Sequence, residues 1–193
     1  MTTKRTTPPA SEPISLSEVK AHVRVDSTDD DTLLTGLIAA AVAHLDGQGV
    51  LGRAMITQSW SQWVSQSPGV VRLTVGPFQS LTSVEYYDVD NALQTGTLTD
   101  FEIRLDGDFV LVKPKEDHVW PHAYIRQDAI KITYVAGFGD AAADVPQSVR
   151  QAMLLMIGHW YENREAVAEG NFKELPMAVD ALIGVERVGW YGS

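Results

Sequence analysis

Phe101-Glu102-Ile103-Arg104-Leu105-Asp106-Gly107-Asp108-Phe109-Val110-Leu111-Val112 is the stretch that decides the fold class. Phe101, Ile103 and Leu105 alternate with charged residues, which is the two-residue period of a strand with one dry face. Asp106-Gly107 tolerates positive φ, so the stretch predicts a hairpin with a type I′ turn and a second strand from Phe109 to Val112. The alternation extends outward on both sides, from Ala54 to about Ala136. Ile56, Trp60 and Val64 share one side of a first strand, and Val71, Leu73 and Val75, then Val84 and Tyr86, continue the block. Ile130, Ile132 and Tyr134 close it, giving on the order of five to seven antiparallel strands.

Outside this block the period is helical. Ser15 with Glu18 three residues on is a capping-box pattern, and Leu16, Val19 and Val23 give a short helix with one apolar side. Asp29-Asp30-Asp31 supplies an N-cap and negative charge to a second helix, on which Leu33, Leu34, Leu37, Ile38, Ala41, Val42 and Leu45 recur at helical spacing. A third helix starts at Pro146 and carries Val149, Ala152, Met153, Met156, Ile157 and Trp160 as one stripe. The order predicts an α+β fold: a small helical bundle of two N-terminal helices and one long C-terminal helix, with an inserted antiparallel β block and an extended C-terminal tail. Residues 1–13, with almost nothing to bury, read as a flexible leader; 14–53 and 140–170 read as the bundle, 54–139 as the inserted β domain and 171–193 as a docking tail.

Two features of the C-terminal part point to assembly. The polar stripe of the third helix, Gln147, Arg150, Gln151, Glu162 and Glu165, is interrupted by Leu154 and Gly158, so the helix is apolar on more sides than one partner needs. Leu154 and Gly158 are therefore candidate inter-subunit positions. A helical glycine costs about 1 kcal/mol relative to alanine, which close approach of another backbone would offset. A singly exposed leucine is the competing reading of Leu154. The tail carries Leu175, Pro176, Val179, Leu182 and Ile183, then Val185, Val188, Trp190 and Tyr191. It is too apolar for water and too short for a core of its own, so it is expected to lie on another chain.

The 193 residues, 45% hydrophobic, are enough for one sizeable core. The absence of cysteine removes disulfides, thiolate metal sites and a cysteine nucleophile, and suits a cytosolic origin. The longest apolar run, Leu37 to Ala43, falls far short of the roughly 20 residues that cross a bilayer, so no membrane association and no export signal are expected. A net charge of −10, from 25 acidic and 15 basic residues, disfavours tight nucleic-acid binding, which relies on clustered Lys and Arg. The same charge is compatible with DNA sliding past, and equally with an ordinary soluble protein.

Candidate chemistry is sparse. His118 and His122 stand four apart beside Glu116 and Asp117, but Pro121 breaks the helix that would align them on a metal. The Asp26 to Asp31 run lacks the glycine and closing glutamate of a calcium loop, having Asp31 and Leu37 in their places. His159 and Glu162 form an acid-base pair without a nucleophile placed beside them. No nucleophile elbow, phosphate loop or dinucleotide fingerprint is present, so no catalytic residue, metal site or cofactor is expected.

Several stretches in order carry a resemblance: Ile14 to Val25 with its acidic cap, Thr57-Gln58-Ser59-Trp60, Gly76-Pro77-Phe78-Gln79-Ser80-Leu81-Thr82-Ser83-Val84, Tyr134-Val135-Ala136-Gly137-Phe138-Gly139, and His159 to Glu165. Together they resemble the head-tail connector, or adaptor, family of tailed phages and phage-like gene transfer agents. The tail departs from the family pattern, with Gly184-Val185-Glu186-Arg187 where a Pro-Tyr-Arg-like stretch is common. The resemblance implies a non-enzymatic protein made in the bacterial cytoplasm. It would assemble with copies of itself into a twelve-fold ring at the head-tail interface. Its partners would be the portal protein, gripped by the apolar tail, and a stopper or other tail-ward ring protein. DNA would pass through the ring without sequence-specific binding, with Asp29, Asp30 and Asp31 as channel-facing candidates. A stopper or tail-completion protein built on the β block is the nearest alternative, and a small hydrolase using His159 or the His118-His122 loop a more distant one.

Overall fold

The alternating block folds as strands, and it recruits a strand from the opposite end of the chain. The computed structural model describes residues 1–65, 69–107, 109–163 and 177–187. The chain forms two compact units, one from Met1–Ala10 with Thr57–Gly137, the other from Ser11–Ile56 with Phe138–Ser193.

The first unit contains β1 (Thr2–Thr7), β2 (Gln58–Val64), β3 (Val71–Leu73), β4 (Phe78–Tyr87), β5 (Leu93–Thr95), β6 (Phe101–Asp106), β7 (Phe109–Pro114) and β8 (Ile130–Ala136). They make a five-stranded sheet in the order β1-β2-β8-β4-β5 and a three-stranded sheet in the order β3-β7-β6, every pairing antiparallel. Trp60, Val84, Ile130, Ile132 and Tyr134 of the larger sheet and Val71, Leu73, Val110 and Val112 of the smaller one are buried. The β6–β7 hairpin forms with Asp106 paired to Phe109, so its two-residue loop begins at Gly107, one position later than the sequence reading. Gly107 takes the positive φ, 59°, that this turn needs.

β1 corrects the flexible-leader reading of residues 1–13. Thr2, Thr3, Thr6 and Thr7 are β-branched and favour extended backbone. Pairing with β2 engages that backbone while leaving the side chains mostly exposed, so a search for buried side chains misses the strand. Thr3 and the fully buried Gln62 of β2 both reach Thr74, just past β3, and Gln62 also donates to the Arg72 carbonyl at 2.7 Å. This satisfies both ends of a buried amide and fastens the two sheets together. Gln79 donates to Thr57 Oγ1 and to the Gly137 carbonyl, holding together the two residues at which the chain enters and leaves this unit.

The second unit contains α1 (Leu16–Val23), α2 (Asp31–Leu45), α3 (Gln147–Glu162) and α4 (Met177–Glu186). The Ser15–Glu18 capping box forms in full, and Arg24 ends α1 in the left-handed region at φ 58°. Leu34, Ile38, Ala41 and Leu45 from α2 meet Val149, Ala152, Met153, Met156 and Ile157 from α3 in one core. Val179 and Ile183 from α4 complete it.

The bundle with an inserted β block and an extended tail is thus replaced by a mixed α+β fold of four helices and two antiparallel sheets. Among the described residues helix and strand take nearly equal shares, 32% and 31%, which a helical bundle does not show. The sheet includes a strand from outside the block, and part of the tail is helix.

Candidate functional site

The side chains singled out for chemistry are divided between the two units, His118 and His122 in the first and His159 and Glu162 in the second. His118 and His122 are exposed on the loop after β7, with His118 Nδ1 3.8 Å from Asp100. His159 is near Asn163, whose amide donates to the His159 carbonyl at 2.8 Å, and Glu162 is exposed. Among the described residues no three His, Cys, Asp or Glu side chains gather as a metal site. Among the described residues Tyr134 is the most strongly perturbed group; burial pushes its hydroxyl up to about 12, and the oxygen accepts from the Val75 amide at 3.3 Å.

The residues singled out for assembly are redistributed. Val179 is 0% and Ile183 4% exposed inside the chain's own core, and Leu182 packs on it, so these are not free docking residues. Their spacing of three to four positions is that of a helix face, and the groove it fills belongs to the same chain. Val185, 77% exposed, and Met177, 89% exposed, point away from that core. Leu175, Pro176, Val188, Trp190 and Tyr191 lie outside the described residues. Arg53 Nε donates to the Glu186 carbonyl at 2.6 Å, closing the C-terminus of α4 with a cation where the helix dipole is negative.

On α3, Leu154 is half-buried against the core, leaving part of its surface open. At Gly158 a Cβ would come 3.3 Å from His22 Nε2, so a side chain of α1 in the same chain already stands beside it. Asp30 sits at the N-cap position of α2 without a side-chain cap bond; instead it accepts from the Tyr161 hydroxyl at 2.5 Å. Asp31 pairs with Lys20 at 2.6 Å, and Asp29 is exposed. Two of the three channel-facing candidates therefore tie α2 to α1 and α3.

Charge and apolar exposure divide between the units. The helical unit carries 15 acidic and 7 basic residues, net −8, whereas the β unit carries 10 and 8, net −2. Among the described residues, most exposed large apolar side chains are in the β unit, including Val89, Leu93, Leu105, Val119 and Ile125. The loops presenting them are anchored. Trp120 is buried beside Phe101 and donates to the Gly69 carbonyl at 2.8 Å. Arg126 grips Asp128 with two bonds, donates to Asn91 at 3.0 Å and lies 3.8 Å over the Tyr87 ring. That grip holds Asp128 below the usual carboxylate range. Asp88 is held low too, first by the Ala92 amide and then by Gln94.

Sequence reasoning missed the edges of this unit. β1 carries Lys4 and Arg5, with no acidic residue before Glu12, whereas no Lys or Arg occurs between Arg72 and Arg104. This asymmetry is visible in the sequence, and becomes a surface feature only once β1 is known to be a strand.

A family model described as head completion protein matches residues 12–172. Among solved structures, a chain from the neck of an empty gene transfer agent particle computed with C6 symmetry superposes with a TM-score of 0.79 at 20% identity, covering 100% of this chain and 99% of that one. A chain from the virion of a native gene transfer agent particle gives 0.78 at 20% identity, with the same coverage. A third, from the neck of a native particle computed with C12 symmetry, gives 0.72 at 18% identity, again covering 100% and 99%. These likenesses extend to the whole fold. No curated protein matches the chain.

Proposed function

The chain belongs to the head completion protein family, and from that premise we propose that it is a structural head-tail connector at the neck of a phage or phage-like particle. It forms a ring with copies of itself, twelve-fold, beneath the portal, extends the DNA channel and offers a platform to the next tail-ward ring. The observation that carries this reading is the family match over residues 12–172. The neck structures that share its fold were computed with six-fold and twelve-fold symmetry, which supports a ring.

Each unit has a part in this role. The helical unit, at net −8, is the wall suited to passing DNA, because like charge repels the phosphate backbone and keeps it moving. The β unit, nearly neutral with anchored loops presenting Val119 and Ile125, is the surface suited to protein contact. Beyond α4 the segment with Val188, Trp190 and Tyr191 supplies the aromatic anchors by which the tail holds the portal, with exposed Val185 leading into it. Particles produced without this chain should be DNA-filled heads lacking tails. Tailed particles formed in its absence, or purified necks that do not contain it, would refute the role.

A further inference from the structure

The two flanks of the β unit are unlike, and each ends in an open strand. β1 and β5 are the opposite edges of the larger sheet, and β3 and β6 the opposite edges of the smaller one. β1 and β3 share a flank, since Thr3 and Gln62 both bond to Thr74. β5 and β6 share the other, joined only by residues 96–100. The β1 flank carries Lys4, Arg5, which donates to Gln58 Oε1 at 3.3 Å, and Arg72, which lies 3.1 Å over the Phe109 ring; Asp128, near Lys4, is paired with Arg126. The β6 flank is acidic, with Asp88, Asp90, Asp100, Glu102 and Asp106. Its cations are Arg104, Lys113 on β7, paired with Glu102 at 3.2 Å, Lys115 just past β7, whose amide bonds to the Asp100 carbonyl, and Arg126, which donates to Asn91 but is engaged by Asp128; His118 faces Asp100.

The open strands match. β1 and β6 are both six residues long, whereas β5 has three and is too short to pair far. Ile103 and Leu105 lie on the same side of β6 as buried Phe101, yet are 40% and 74% exposed, leaving apolar surface beside the open edge. Pairing β1 with β1 would set Lys4 and Arg5 against their own copies, and pairing β6 with β6 would set Glu102 and Asp106 against theirs. Pairing β1 with β6 joins opposite charges. A contact between two different patches is head-to-tail, the kind that closes into a ring rather than a two-fold dimer.

We propose that neighbouring copies in the ring are joined by β1 of one lying along β6 of the next, extending the smaller sheet across the subunit boundary and setting Lys4 and Arg5 among the carboxylates of that flank. The inference rests on the ring reading above. Strand addition supplies backbone hydrogen bonds, and the charges choose the partner edge.

The cysteine-free chain permits a direct test. Particles are assembled with the double variant Lys4→Cys and Asp106→Cys, and their necks are oxidised and run under denaturing, non-reducing conditions. A ladder of covalent multimers is expected, with either single variant giving none. A charge test runs beside it: Lys4→Glu with Arg5→Glu should cut tailed particles about tenfold or more, and adding Asp90→Lys with Asp106→Lys should restore them. Necks that contain the chain but yield no ladder, or tailed particles unaffected by the Lys4 and Arg5 reversals, would overturn the pairing and leave the neck role standing. Necks that lack the chain would overturn both.

Discussion

Glu18 shows how much one side chain does in the helical unit. It accepts from the Ser15 amide at 3.0 Å to complete the capping box, and it pairs with Arg150 of α3, tying the start of α1 to the core helix. The Ser15 amide acts most strongly to hold its carboxyl below the usual range; burial, the next largest effect, opposes it, and the Ser15 hydroxyl and Arg150 add to the lowering. A carboxylate with a lowered folded pKa contributes stability above its ordinary value of 4.5, and that contribution is lost as pH falls through the lowered folded value. Glu18→Gln keeps a side chain able to cap but removes the charge. It should cost under about 1 kcal/mol at pH 7, because the pair is partly exposed. The difference from the parent should shrink as pH falls below the ordinary value of 4.5, as thermal melting at successively lower pH would report. A constant difference would place the effect in packing, not in ionisation.

At the scale of elements, α4 changes what the C-terminal part means. Burying Val179 and Ile183 is worth about 1.5 to 3 kcal/mol each, a large fraction of the roughly 5 to 15 kcal/mol by which a domain is stable. Truncation after Glu174 should therefore lower the melting temperature sharply, whereas truncation after Arg187 should leave it nearly unchanged while abolishing attachment to the portal. Equal melting of the two truncated chains would show α4 to be dispensable to the core. The first three helices were legible because their caps and stripes are local signals: Ser15 with Glu18, and Val149 to Ile157 at helical spacing. α4 was legible as an apolar segment but not as part of the core. A short helix burying only two residues has the same pattern whether its groove lies in its own chain or in a neighbour's, and only tertiary structure separates the cases. β1 escaped for the complementary reason, since an edge strand is held by backbone bonds and needs no apolar pattern. The β6–β7 hairpin was read to within one residue because Gly107 marks the turn chemically.

For the whole molecule, the two units set opposing terms on self-association. The β unit offers complementary flanks, but one added six-residue strand with Ile103 and Leu105 beside it makes a small contact, below the roughly 1,000 Å² that stable interfaces bury. Every copy also brings a net charge of −10, of which −8 is on the helical unit, so a closed ring crowds like charge together. At physiological ionic strength screening acts over about 8 Å, which weakens this repulsion between copies without removing it where they touch. In the proposed role, binding to a portal ring would change the balance by holding many copies at high effective concentration, where a weak contact between neighbours becomes intramolecular. The purified chain should accordingly be monomeric at micromolar concentration in sedimentation experiments, and should form rings only when the portal is supplied. A stable ring of the chain alone would mean that the contact between copies is stronger than its small area allows, and that a further interface, with the open part of Leu154 the first place to look, contributes to it.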